Sequence, residues 1–199
     1  MSEQQHFNTI EKTAFAEFKD RGSRFIAYAY PVLTTDECKK HLQLLKKENP
    51  KANHHCFAYR IGLDGNNFRV SDDGEPSGSA GRPILGQIDS KGLINLLVVV
   101  VRYFGGTLLG VPGLINAYKT ATVLALQLTP IIQKQVLSTF YLQFDYTRMN
   151  DVMMVVRQFG CEVFKQENQL FCQLEIGIPK SRVNEVLFKL KELQTVEVS

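Results

Sequence analysis

The run Leu96-Leu97-Val98-Val99-Val100-Val101 constrains this chain more than any other stretch. It is six consecutive apolar residues, four of them β-branched, with no polar residue on either alternating face. A strand that faces water on one side must alternate, so an unbroken run predicts a central strand covered on both faces. At six residues it is far too short to span a bilayer as a helix. The fold must therefore place layers above and below this strand. The flanking sequence supplies them, in two patterned halves.

On the N-terminal side, Ile10 to Phe18 and Arg24 to Val32 read as two strands around a turn at Asp20-Arg21-Gly22. Thr34 and Glu37 have the spacing of a capping box, predicting a helix to about Glu48 with Cys38, Leu42 and Leu45 on one face. His55 to Ile61 and Asn67 to Val70 read as a hairpin turning at Asp64-Gly65-Asn66. A polar loop from Ser71 to Gly81 precedes a short helix over Pro83 to Ile88. After the apolar strand, a glycine-rich loop from Gly105 to Gly113 leads into a helix over about Leu114 to Leu128. Thr129-Pro130 stops that helix and marks a domain boundary, dividing the chain into residues 1–132 and 133–199.

The second half reads strand (Val136 to Asp145), helix (Met149, Val152, Met153, Val156, ended by Gly160) and strand (Cys161 to Lys165). A turn at Glu167-Asn168, a strand (Leu170 to Ile178), a helix (Val183, Val186, Leu187, Leu190) and a short strand (Thr195 to Val198) follow. This βαββαβ order is that of a ferredoxin-like domain, and the fold class of the whole is α+β.

The formal charge of +3 is divided unevenly: 16 Lys+Arg against 12 Asp+Glu over residues 1–136, and 7 against 8 over 137–199. A basic N-terminal half is compatible with a solvated surface or with a nucleic-acid face, for which Tyr28, Tyr30 and Tyr59 would supply stacking rings. Cys38, Cys56, Cys161 and Cys172 form no CxxC pair and read as reduced thiols of a cytoplasmic protein. The first eight residues hold no apolar signal core.

Three constellations have the residue types for chemistry. In Ser71-Asp72-Asp73-Gly74-Glu75-Pro76-Ser77-Gly78-Ser79-Ala80-Gly81, three carboxylates crowd into four positions and need cations or N–H donors. They are either a salt-bridged structural loop or a site for a metal or cationic substrate. Either way, Arg69 or Arg102 is expected to pair with at least one of them. Arg102-Tyr103-Phe104-Gly105-Gly106 continues through Gly110-Val111-Pro112-Gly113 as a strand, glycine turn and helix start. That helix end is open to anion binding or to tight backbone packing, and the run matches no Walker or GxGxxG pattern. His54-His55 lie on one strand and so point to opposite faces. A metal-dependent peptidase built on His55, Asp72, Asp73 and Glu75 is the competing enzymatic reading.

Taken together, these segments resemble the IMPACT/YigZ-like family. The matching pieces are Ser23-Arg24-Phe25, Ala52 to His55, Ser71 to Gly81, Val99 to Gly106, Leu109-Gly110, Gly113-Leu114 and Ala117-Tyr118. Ser79 stands where Thr is usual and Pro112 where Gly is usual. The resemblance implies an N-terminal domain shaped like the second domain of a small-subunit ribosomal protein and domain IV of elongation factor G. It implies a C-terminal domain like domain V of that factor. Eukaryotic relatives carry a further N-terminal protein-binding domain and restrain a starvation-activated translation kinase pathway. That domain is not expected here, so the kinase role is not expected to carry over. The expectation is an RNA- or ribosome-associated protein with no cofactor and no metal. Arg24, His55, Arg69, Arg102, Tyr103, Gly105, Gly106 and Lys119 are its candidate nucleic-acid or anion contacts, and Asp72, Asp73, Gly74 and Glu75 its acidic loop. The two loops are expected to meet at one end of the N-terminal sheet.

Overall fold

In the computed structural model, which describes residues 4–63, 66–168, 171–193 and 195–199, the apolar run forms the middle of β6 (Leu96–Tyr103). All six of its side chains are completely buried. Strand β6 is the centre of a five-stranded sheet with β2 (Ala14–Asp20), β3 (Ser23–Pro31), β4 (His54–Ile61) and β5 (Asn67–Ser71), in the order β2-β3-β6-β4-β5. Every neighbouring pair is antiparallel.

The two faces of β6 enter two separate cores. Leu96, Val98 and Val100 pack under α2 (Gly81–Ser90) and α3 (Gly110–Gln127), while Leu97, Val99 and Val101 pack with α1 (Thr35–Glu48). The α3 side is built from small residues: Ala27, Ala29, Cys56 and Ala58 on the strands meet Ala117, Ala121 and Ala125 on the helix. Small side chains on both surfaces allow a helix to lie close to a sheet, which makes substitution to larger residues there costly. The capping box of α1 is present, with Thr34 Oγ1 accepting the Glu37 N–H at 3.2 Å and Glu37 Oε2 accepting the Thr34 N–H at 3.2 Å.

Contacts divide the chain into two compact units, one of residues 7–134 and one of residues 135–199 with the segment up to His6. The second unit is ordered β8 (Leu137–Phe144), α4 (Met149–Gln158), β9 (Glu162–Asn168), β10 (Cys172–Pro179), α5 (Val183–Glu192), β11 (Glu197–Val198). Its sheet runs β11-β8-β10-β9 and is antiparallel throughout. Val152, Val155 and Val156 of α4 and Val186 and Leu190 of α5 share one core with Leu142, Phe144, Leu174 and Ile176.

Four sequence readings are corrected. The first strand is two: β1 (His6–Ile10) pairs with β7 (Ile131–Gln135) in a separate two-stranded sheet, and only β2 joins the main one. The Val136–Asp145 strand is likewise preceded by β7, since apolar periodicity does not report a change of sheet. The turn at Glu167-Asn168 is instead strand, paired with Gln173 and Cys172. Helix α3 begins at Gly110 and not at Leu114, so Pro112 lies in its first turn, where a missing N–H costs nothing. Asp64 and Gly65 of the expected hairpin turn, and Leu170 of the expected strand from Leu170 to Ile178, lie outside the described residues. No helix among the described residues is long and apolar enough to cross a membrane.

Candidate functional site

The acidic loop between β5 and α2 is a folded object whose carboxylates are spent one by one. Asp72 accepts three backbone N–H bonds, from Gly78 to Oδ2 at 2.8 Å and from Ala80 and Gly81 to Oδ1 at 3.0 and 2.8 Å. Burial acts to raise its pKa, and these three donors outweigh burial to hold it below the usual carboxylate range. Asp73 takes a left-handed backbone, φ 42°, and Oδ2 accepts the His55 N–H at 2.7 Å. Lys46 Nζ lies 3.6 Å from its other oxygen. The chain reversal at Asp73-Gly74 drives Glu75 inward.

Glu75 and Arg102 meet in the interior, with side chains only 4% and 6% exposed. Arg102 Nη1 donates to Glu75 Oε1 at 2.6 Å, and the Tyr118 hydroxyl donates to the same oxygen at 2.7 Å. The guanidinium lies over the rings of Phe25 and Phe104, at 5.3 and 5.6 Å, and Nη2 reaches Ser23 Oγ at 3.4 Å. Cys56 joins the network, its thiol donating to the Asp72 carbonyl at 3.0 Å with Sγ 3.3 Å from the Tyr118 oxygen. Burial raises both the Cys56 thiol and the Tyr118 phenol, which makes each a neutral hydrogen-bonding group at any physiological pH.

The glycine turn after β6 is held by contact, as backbone. The Gly105 N–H donates to Ser23 Oγ at 3.2 Å, and a Cβ on Gly105 would lie 1.9 Å from the carbonyl carbon of Gly22. Only glycine fits where the two turns cross. Phe104 N–H is fixed by Asn53 Oδ1 at 2.8 Å.

The two loops meet as expected, and between them opens a cavity of about 480 Å³. Asn53, His54, Glu75 and Arg102 form its polar part; Phe104, Leu108, Val111 and Leu114 supply apolar surface. Leu108 is 82% exposed at its rim. His54 Nδ1 donates to the Asp73 carbonyl at 2.9 Å, and its Nε2 lies 3.8 Å from Glu75 Oε1.

The candidate residues are thus dispersed. Arg102, Gly105 and the acidic loop are together. Arg24 is on the opposite face of the sheet, bidentate to Glu17 at 3.2 and 2.9 Å and 5.6 Å from the Tyr103 ring. Tyr103 donates to Asn49 Oδ1 at 2.9 Å. His55 is buried towards α1, and desolvation lowers its pKa against the pull of Asp73, so it offers no surface to an external anion. Arg69 on β5 and Lys119 on α3 are exposed and apart from the loop, and Gly106 adopts φ 85° in the turn. Tyr30 is buried and stacked on His41 at 4.0 Å, which removes it as a stacking platform. His54 and Phe104 stood in the constellations, but neither they nor Asn53 and Leu108 were among the candidate nucleic-acid or anion contacts. The signal for Phe104 and Leu108 was present, since apolar residues in a glycine-rich loop need a reason. Among the described residues no three His, Cys, Asp or Glu side chains converge to hold a metal. The three carboxylates point to three different partners, so nothing in the geometry supports a metal-dependent peptidase.

A fold with this sheet and this paired-loop site defines a class of protein, and comparison with known proteins identifies it. The IMPACT N-terminal domain profile matches residues 21–126. The IMPACT family member YigZ of Escherichia coli is 33% identical over 172 residues, covering 85% of this chain and 84% of that one. This chain belongs to the IMPACT family. Protein IMPACT of Rattus norvegicus is 37% identical over 100 residues, 48% of this chain and 31% of its own length. A crystal structure described only as a hypothetical protein aligns over 98% of this chain and 97% of its own, with a TM-score of 0.77 and 29% identity.

Proposed function

We propose that this protein is a cytoplasmic regulator of translation that acts by binding RNA or the ribosome rather than by catalysis. Its N-terminal unit is read as the ribosomal-protein domain-2-like fold and its C-terminal unit as a ferredoxin-like domain. Membership of a family that includes the proteins named IMPACT motivates the translation context. The observation that carries RNA binding is the half-open sheet face on the α1 side. Helix α1 packs over β4, and the β2–β3 part of that face is left with Phe15 64% exposed and stacked on Tyr28 at 5.9 Å and 27°. Arg24 and Tyr103 continue the row. An open sheet carrying aromatic rings and a guanidinium is the surface on which unpaired bases stack, at about 1–3 kcal/mol each.

Fluorescence anisotropy with labelled single-stranded and stem-loop RNA tests this, with salt varied. Binding should weaken steeply with salt through counterion release. F15A/Y28A should weaken it by roughly tenfold or more. No association at low salt, together with no co-sedimentation with ribosomes, would end this reading.

A further inference from the structure

The cavity between the acidic loop and the start of α3 plays no part in the sheet-face contact, and its chemistry is selective. At about 480 Å³ it is in the size range of small-ligand pockets. Its floor holds one carboxylate and one guanidinium side by side, so it is close to neutral: a phosphate would face Glu75 and an amine would face Arg102. A neutral ring with donors and acceptors along one edge meets neither objection. The apolar rim and wall of Phe104, Leu108, Val111 and Leu114 suit the two faces of such a ring.

The unused hydrogen-bonding capacity narrows the ring. Glu75 Oε1 is taken by Arg102 and Tyr118, while Oε2 makes no hydrogen bond among the described residues. Arg102 Nη1 and Nη2 use one N–H each on Glu75 and Ser23, which leaves the second N–H of each, while Nε is buried. Asn53 commits Oδ1 to the Phe104 N–H, which leaves its Nδ2 as a donor. A carboxylate acceptor beside amide and guanidinium donors matches guanine, whose N1–H and N2–H donate next to an accepting O6. Adenine presents one donor and one acceptor on the same edge and meets fewer of these groups. The first turn of α3 carries no acidic residue, so a nucleotide's phosphate at the rim meets no carboxylate from that helix.

The geometry points to this cavity as a pocket for a guanine base, either extruded from bound RNA or carried by a free nucleotide. The RNA source rests on the RNA-binding reading above; the pocket itself does not. The test titrates guanosine and guanosine 5′-monophosphate, with the adenine counterparts, into the full chain by calorimetry. Guanine should be preferred by roughly tenfold or more, the discrimination of one bidentate base-edge contact. L108W, placed at an exposed rim position, should weaken guanine binding by roughly tenfold or more without altering the thermal melt. E75Q should abolish the preference, and because it disturbs the fold, L108W carries the decision. F15A/Y28A should leave mononucleotide binding unchanged. Absence of guanosine monophosphate binding, an equal response to adenine, or indifference to L108W each overturns the pocket; RNA that still binds through the aromatic face then leaves the RNA reading standing. Guanine-selective binding by a chain that binds no RNA keeps the pocket as a free-nucleotide site and removes the RNA reading.

Discussion

Replacing Arg102 by Met removes one charge from a pair whose side chains are 6% and 4% exposed. The methionine keeps an apolar stem between Phe25 and Phe104, so most packing survives and the electrostatic change dominates. Among the described residues, Glu75 Oε1 then keeps only the Tyr118 hydroxyl, at 2.7 Å, as a hydrogen-bond donor. An ion left without its partner in the interior costs about 3–5 kcal/mol. For a chain of this length each kcal/mol moves the melting temperature by about 2–4 °C, so R102M should melt roughly 6–20 °C lower. E75Q should cost less, about 1–3 kcal/mol, because Arg102 keeps Ser23 Oγ and two ring faces. The double variant R102M/E75Q removes both charges and should lose markedly less than the two single losses added. Urea denaturation of all four proteins measures the coupling. If the single losses add to within about 0.5 kcal/mol, the pair is not coupled and the loop is not held by this contact.

Other perturbations probe separate parts of the same account. G105A should fail to give a stable fold, because its Cβ meets the Gly22 backbone at 1.9 Å; G106A, with open space around it, should show only the cost of its left-handed φ of 85°, about 1 kcal/mol. Differential scanning fluorimetry separates the two. The depressed pKa of Asp72 contributes stability that is present above the unfolded-state value and lost as pH falls through the folded one. D72N should therefore show a flatter stability profile through that acid range, as well as a loss of about 1–3 kcal/mol at neutral pH. T34A should cost about 1 kcal/mol through the cap of α1, read by chemical denaturation. A fragment of residues 1–132 is expected to fold alone, with a dispersed proton NMR spectrum, since β2–β6 and α1–α3 all lie within it.

The sequence by itself determined the layers. An unbroken apolar strand can only be central, and the periods of 3.6 and 2 around it fixed helices and strands because water exposure repeats with backbone geometry. It determined the capping box, since Thr34 and Glu37 act within one turn. It also named the two loops, because clustered acids and clustered glycines are costly without a purpose. What it left undecided depends on contacts across the chain. Whether Asp72, Asp73 and Glu75 serve a ligand or the fold turned on where Gly78, His55, Arg102 and Tyr118 arrive in space, separated from them by as many as 43 residues. That β1 leaves the main sheet for β7 was equally invisible, since pairing partners 120 or so residues apart leave no local mark. Tyr28 and Tyr30 read alike in sequence, two positions apart on one strand face. Only the placement of α1 and His41 buries the second and leaves the first beside an exposed Phe15, because helix cover is a property of the assembled sheet and not of the strand.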